Sequence, residues 1–219
     1  MRSPAEKVMK SLLILGAGGF GHMIQEAAKL LGYEKAVFLD DAVRDPDVVG
    51  KCCDYESFLG QYDTAVAALG DNNMRLHWTE KLMEAGYDVP AIIHPSAVVS
   101  PSASVGKGSF IMQKAIVNTH TVVEHGVLIN SGAVVDHDSY VERGAHIGLG
   151  SVVKANCRIA SKVKVEAGEV IFSTRRKIDG VEDRNLEDAI YAFGFGNRCS
   201  YVKPFGAGHI NETYAVYMP

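Results

Sequence analysis

Residues 93–171 read IHPSAVVSPSASVGKGSFIMQKAIVNTHTVVEHGVLINSGAVVDHDSYVERGAHIGLGSVVKANCRIASKVKVEAGEVI. A β-branched aliphatic recurs at every sixth position: Ile93, Val99, Val105, Ile111, Val117, Val123, Ile129, Val135, Val141, Ile147, Val153, Ile159, Val165 and Ile171. Four residues after most of these stands a small side chain, among them Ala97, Ala103, Ser109, Ala115, Thr121, Ala133, Ser139, Ala145, Ser151 and Cys157. A period of six fits neither a helix at 3.6 nor an alternating strand. It is the signature of a parallel β-helix, in which short strands stack coil on coil. The aliphatics are expected to point inward and the small residues to sit where the chain turns. With three hexads to a triangular coil, the run predicts about four to five coils.

Outward from the repeat, residues 10–90 read as a small α/β unit. The apolar run Ser11–Leu15 is a buried strand, and Gly16-Ala17-Gly18-Gly19-Phe20-Gly21 follows it. A helical pattern from His22 to Leu31 ends at Gly32. Ala36–Leu39 is a second strand, leading into Asp40 and Asp41. Tyr55–Leu59 suggests a short helix, and Thr64–Leu69 a third strand ending at Gly70. Asp71 is placed to cap a helix over Asn72–Ala85 with its carboxylate. Strand–helix alternation with short loops predicts a parallel sheet, and Val89–Ile92 a short strand leading into the repeat. Beyond Ile171 the repeat stops. A polar stretch, a helical pattern from Leu186 to Phe193 and a Gly-rich strand pair from Ser200 to Met218 complete the chain. The expected units are therefore 1–91, 92–172 and 173–219.

Composition narrows the function. Net charge is −4, with 47% apolar and 22% charged residues, ordinary for a globular protein and unsuited to nucleic acid as the main partner. The one cationic cluster, Arg175-Arg176-Lys177, reads as a solvated turn or a phosphate contact. The N-terminus lacks an apolar signal core, and no run approaches the roughly 18 apolar residues of a membrane span. The four cysteines, Cys52, Cys53, Cys157 and Cys199, have no metal-ligand spacing. Unpaired thiols suit a reducing compartment, so a cytoplasmic protein without a membrane partner is expected.

Two motifs carry chemistry. Gly16-x-Gly18-x-x-Gly21 lies between a strand and a helix, with Asp40 closing the next strand. This is the setting in which phosphates approach amides at a helix N-terminus and an acid takes a ribose hydroxyl. A nucleotide or nucleotide-sugar, NAD, or a purely structural tight turn all fit. Only about three or four strands precede residue 90, half of a two-lobed dinucleotide fold, which favours one nucleotide. In the repeat, His137 stands between Asp136 and Asp138. An adjacent carboxylate raises an imidazole's basicity and fixes its tautomer, as a general base requires; a solvated surface histidine is the alternative. His94, His120, His125 and His146 are the repeat's other histidines. Zinc needs three protein ligands, and the γ-class carbonic anhydrase spacing would put one at Glu84, so no metal is expected.

These residues together resemble the sugar-nucleotide acyltransferases of the left-handed β-helix class, including the bacillosamine and perosamine N-acetyltransferases and the sialic-acid O-acetyltransferases. The resemblance rests on Gly16–Gly21, Phe38-Leu39-Asp40-Asp41, Ala68-Leu69-Gly70-Asp71-Asn72, Ile93-His94-Pro95-Ser96-Ala97, Leu128-Ile129-Asn130 and Val135-Asp136-His137-Asp138, with His146 nine residues further on. It implies a Rossmann-like nucleotide-binding domain followed by a left-handed β-helix that trimerises. It implies acetyl-CoA lying between neighbouring helices and donating to a nucleotide-linked amino sugar. Gly18, Gly19, Phe20, Asp40, Asp41 and Gly70 would hold the nucleotide-sugar. His137 would be the base, Asp138 the acid supporting it, His146 a contact to acetyl-CoA, and Asn130 part of the same cleft. Transfer to a hydroxyl of a free sugar such as sialic acid is the alternative within the class. Two departures stand out: Phe20 occupies a position that is His in the bacillosamine branch, and Ser173 onward replaces the family's last coils and closing Gly-Val-Pro-Ala-Lys segment. Tyr201–Tyr214 resembles the opening Gly-rich strand pair of hexosamine and choline-type kinases. That likeness raises a further alternative, a non-catalytic trimerising module of a kinase fusion.

Overall fold

A computed structural model of the protein describes residues 10–172, 201–204 and 214–217. Four parallel strands form its first sheet: β1 (Ser11–Leu15), β2 (Lys35–Leu39), β3 (Val48–Gly50) and β4 (Ala65–Ala67), in the order β3-β2-β1-β4. The near-continuous apolar character of β1 follows from burial on both faces. Leu12 and Ile14 pack with helix α1 (Gly19–Leu30), and Leu13 and Leu15 pack with Leu82 of helix α2 (Asn72–Glu84) and with Tyr62 and Tyr87 from the flanking loops. Asp71 caps α2 as expected, its Oδ1 accepting from the Met74 amide at 2.8 Å.

Local expectations differ from the structure in five places. Helix α1 begins at Gly19 rather than His22 and ends at Leu30, because the chain enters it through glycines that carry no periodic signal. Strand β3 was not anticipated: it has three residues and pairs with β2 through a register shift. The short helix spans Cys52–Phe58 with 3-10 geometry. The third strand is shorter, Ala65–Ala67. Of Val89–Ile92, only Ile92 joins a strand; the Val89 carbonyl instead accepts from the Gly108 amide at 3.1 Å.

From Ile92 the repeat folds as the six-residue period requires. Fourteen two-residue strands, β5 (Ile92–Ile93) through β18 (Val170–Ile171), recur every six residues. They stack in three parallel sheets of five, five and four strands, with each residue paired to the one eighteen further on, as in Ile93↔Ile111 and Ile111↔Ile129. The coil is thus a triangular prism, and its handedness is left. We call the faces first, second and third, beginning at Ile92–Ile93, Val98–Val99 and Ser104–Val105. The second residue of each strand points inward, and Ile111 to Val165 belong to one buried apolar column. The small residue directly follows the turn and is also inside. Where it is Ser or Thr, its hydroxyl finds a backbone carbonyl: Ser109 to Glu124 at 2.8 Å and Thr121 to Asp136 at 2.9 Å.

The turns add a third periodicity. Every sixth residue from Gly108 to Gly168 has φ between 55° and 71°, the left-handed region. Six of these are glycine; the others are Lys114, His120, Asp138, Asn156 and Lys162. A non-glycine residue there costs roughly 1 kcal/mol, least for Asn and Asp.

The two units share a core. The outward residues of the first face are, coil by coil, Ile92, Phe110, Leu128, His146 and Lys164. The first three are buried against the α/β unit, where the Phe20 ring meets Phe110 edge-on at 5.1 Å. His146 and Lys164 stand on the next two rungs. Arg75 of α2, 0% exposed, ties the units together. Its guanidinium donates to the carbonyls of Gly126 (2.9 Å), Gly144 (2.9 Å) and Ala145 (3.1 Å) in the β-helix, and to Leu69 (3.1 Å) after β4. In the tail, β19 (Tyr201–Pro204) and β20 (Tyr214–Tyr217) pair antiparallel. The expected helix over Leu186–Phe193, the Gly-rich turn and Arg175–Lys177 lie outside the described residues.

Candidate active site

His137 and Asp138 form the turn between the second and third faces. The left-handed φ of 55° at Asp138 turns its carboxylate back on the preceding ring, and Oδ2 lies 2.7 Å from Nδ1 of His137. That bond leaves Nε2, on the other side of the ring, directed away from the acid. Both side chains are accessible, 52% and 47% exposed. Of the two carboxylates flanking His137 in sequence, only this one engages the ring. Asp136 Oδ1 accepts instead from the His137 amide (2.9 Å) and from Asn118 Nδ2 (2.9 Å) on the coil before. The hydrogen bond to Asp138 raises the His137 pKa above its usual 6.5, against the small opposing effect of desolvation. The same bond lowers that of Asp138. Eighteen residues earlier, His120 occupies the equivalent turn, its Nδ1 3.3 Å from Asp138 Oδ1.

The glycine loop gives each of its glycines a different task. Gly16 has φ +102°, and a Cβ there would lie 2.8 Å from the Ala68 carbonyl oxygen. At Gly21 a Cβ would sit 2.0 Å from the Gly16 oxygen, so only glycine lets α1 pack this closely. Around Gly18 and Gly19 a Cβ would meet nothing within 4 Å. Gly18 is the N-cap of α1 and supplies no side-chain acceptor, and the first turn holds no acid. Its amides are therefore offered outward, as an anion site requires. Asp40 braces this loop: Oδ2 accepts from Ala17 (2.8 Å), and Oδ1 from Ala42 and Val43 (2.8 Å each). Burial pushes its pKa up, but the three amide donors outweigh that and hold it below the ordinary value. Three of about four lone-pair positions are thus committed to backbone. Asp41 receives the Cys52 amide at 3.2 Å, and Gly70 is exposed in the loop between β4 and α2.

Asn130 and His146 bracket the His137–Asp138 turn in sequence, but lie on the same side as the glycine loop. Asn130 Nδ2 is 3.3 Å from His146 Nε2, and the buried Nδ1 has no hydrogen-bond partner. Burial, reinforced by the charges of Arg75 and Lys164, pushes the His146 pKa down to about 4. It is a neutral imidazole near neutral pH. The prism then sets a separation. His146 is on the first face, whereas His137 is at the corner between the second and third, the vertex opposite that face. One subunit accordingly brings together His137, Asp138 and His120 at one edge, and gathers the α1 loop, Gly70, Asn130 and His146 on the other side.

Other chemistries find less support in the side chains. Burial, with Asp41 and Asp40 nearby, pushes the Cys52 thiol up to about 12. Burial and Asp136 raise that of Cys157, which faces the coil interior as its repeat position suggested. Neither offers a thiolate nucleophile. Among the described residues no three His, Cys, Asp or Glu side chains are grouped to hold a metal, and no helix is long and apolar enough to cross a membrane.

Sequence reasoning missed Arg75, an arginine in a polar helix whose β-helix partners lie 51 to 70 residues away. It weighed His120 only as a metal ligand. The signal was nevertheless in the repeat: residues eighteen apart are stacked neighbours, and 120 + 18 is 138.

A hexapeptide β-helix with an imidazole–carboxylate pair at one corner, fused to a nucleotide-type α/β unit, defines a class of acyltransferases. Comparison with known proteins narrows this. Residues 11–82 match the PglD N-terminal domain family. The acetyltransferase domain of PglB from Neisseria gonorrhoeae, solved in complex with acetyl coenzyme A, is 35% identical, with a TM-score of 0.71 over 75% of this chain and 82% of that one. PerB from Caulobacter crescentus, solved with CoA and GDP-perosamine, is 28% identical, with a TM-score of 0.67 over 74% and 89%. The UDP-N-acetylbacillosamine N-acetyltransferase of Bacillus subtilis is 32% identical over 117 residues, 48% of this chain and 52% of that protein. The match thus spans about half the length of this curated relative. The chain belongs to the left-handed β-helix sugar-nucleotide acetyltransferase family.

Proposed function

We propose that this protein transfers the acetyl group of acetyl-CoA to the amine of a nucleotide-linked amino sugar, with His137 as general base. The observation that carries the reading is the His137–Asp138 pair. Asp138 holds Nδ1 as the donor, so Nε2 presents a lone pair of raised basicity, in a family whose relatives are N-acetyltransferases solved with CoA and sugar nucleotide. A protonated amine cannot attack a thioester. Nε2 takes a proton as the nitrogen adds to the acetyl carbonyl; the tetrahedral adduct then collapses, breaking the C–S bond. The proton on the imidazolium returns to the departing thiolate of coenzyme A, and Asp138 supports the cation meanwhile. A backbone amide of a neighbouring coil is the candidate oxyanion donor.

The remaining roles follow the placement of the residues. The amides of Gly18, Gly19 and Phe20 receive the phosphates at the α1 N-terminus. Asp40 shapes that loop and offers its last lone pair to the ribose, with Asp41 and Gly70 at the adjoining strand ends. Asn130 and neutral His146 line the acetyl-CoA side of the cleft. Because His137 lies at the vertex opposite these groups, we assign each site to two subunits of a homotrimer. The second face supports this assembly: its outward residues are Val98, Ile116, Val134, Val152 and Val170, a β-branched ladder with Val98 61% and Val170 42% exposed. A water-exposed stripe of this kind fits a subunit contact. We divide the chain into a nucleotide-sugar unit (1–91), the acyltransferase β-helix (92–172) and a C-terminal extension (173–219), and place it in the cytoplasm, where the free thiols of Cys52, Cys53 and Cys157 remain reduced.

The test is release of free CoA from acetyl-CoA with a panel of UDP- and GDP-linked amino sugars. One of them is expected to turn over, and His137→Ala should retain ~1% or less of that rate, since general-base catalysis contributes roughly 10²- to 10⁴-fold. Near-wild-type turnover by a folded His137→Ala overturns the assignment.

A further inference from the structure

The corner that carries His137 differs from the other two edges of the prism. Its left-handed turn positions are His120, Asp138 and Asn156, with φ 58°, 55° and 58° and no glycine among them. At the other two corners glycine fills six of the eight such positions. Side chains stand here where glycine would relieve the backbone. They form a ladder across the coils. Ser102 Oγ accepts from the His120 amide at 3.2 Å, and the Thr119 carbonyl accepts from the Asp138 amide at 3.0 Å. One carboxylate oxygen of Asp138 then faces each of two imidazoles: Oδ2 that of His137 at 2.7 Å, Oδ1 that of His120 at 3.3 Å.

We propose that His120 is a positioning residue for the acetyl transfer: through Asp138 it orients and tunes the His137 base. The inference rests on His137 being that base. A carboxylate held at both oxygens cannot rotate, so the bond that fixes the His137 tautomer stays in place. The second imidazole also draws on the same negative charge. Neutral, it donates Nδ1–H to Oδ1; protonated, it becomes a cation competing with the His137 imidazolium for one carboxylate. Either way it moderates the basicity that Asp138 confers on His137. The charged and titratable groups facing this corner among the described residues are His120, His137, Asp138, Asp136, Lys154 beside Asp136, and the Cys157 thiol beneath. His120 is the one that meets Asp138 from the adjacent coil.

The experiment uses His120→Asn and His120→Gly in the full chain. Both residues accept the left-handed turn, Asn as at position 156 and Gly as at position 126, so the coil is retained. The imidazole of His137 is followed by NMR titration without substrate, and the pH profile of kcat/KM is measured in parallel. With either substitution the His137 titration should move to higher pH. The acid limb of kcat/KM should move with it, and kcat should fall about three- to tenfold with KM unchanged, as expected for loss of orientation rather than binding. If the His137 titration and the pH profile superimpose on wild type, the inference fails while the base assignment stands. If His137→Ala turns over normally, the base assignment fails and takes the inference with it.

Discussion

Opposite placement of the two half-sites can be tested by complementation between inactive subunits. One parent is His137→Ala, which removes the base and leaves the α1 loop and His146 intact. The other is Gly18→Asp, which leaves His137 intact and closes the anion site. Gly18 suits this purpose because a Cβ there meets nothing within 4 Å and its φ of −74° is open to any residue. An aspartate at that N-cap accepts the orphan amides itself and stabilises α1, so the phosphates meet a carboxylate in place of free N–H groups. Each parent alone should show ~1% of wild-type turnover or less. In a cyclic oligomer a site is whole when the subunit supplying the base carries Gly18→Asp and its neighbour carries His137→Ala. In a random equal mixture that combination has a probability of one half times one half, so about a quarter of wild-type activity returns. When two affinity tags are used to remove the homo-oligomers, a trimer retains one whole site in three, and activity rises to roughly one third. Free-CoA release on the doubly purified oligomer is the assay. Activity no higher than the parents', with mixed oligomers demonstrated by mass, refutes a shared site.

Further outcomes follow from the same contacts. The base must be neutral to work, and Asp138 raises its pKa, so kcat/KM should climb with pH through an apparent value above 6.5. Asp138→Asn removes the raising partner: the acid limb should move to lower pH while the plateau falls by about 10- to 100-fold, read from the same pH-rate profile. An unmoved limb would separate Asp138 from the base. Arg75→Met strips donors from the buried Gly126, Gly144 and Ala145 carbonyls. At roughly 1–1.5 kcal/mol net each, with part recovered by no longer burying a charge, about 3 kcal/mol is lost. In a chain of this size that lowers Tm by roughly 6–12 °C by calorimetry, and a shift under about 2 °C would contradict the docking role.

What the amino-acid sequence determined by itself is whatever repeats or lies within a few residues. The six-residue aliphatic period required stacked coils, because no helix or plain strand can bury such a pattern. The glycine loop between strand and helix is equally local as a motif, although the close approach that demands glycine at position 16 comes from Ala68, on the neighbouring strand's end. His137 and Asp138 are adjacent in the chain, and their pairing could be anticipated from the text. That Asp138 rather than Asp136 takes the ring was decided by the turn: a left-handed φ aims one carboxylate at the imidazole, while Asn118 on the coil before holds the other. The docking of the two units through Phe110 and Arg75 was likewise hidden, because its partners are scattered over many residues and no periodicity links them. Only the closed triangle of the prism set His137 opposite His146. Which edge of a coil a residue occupies is legible from its number, but which edge the α/β unit covers depends on packing between segments far apart in the chain.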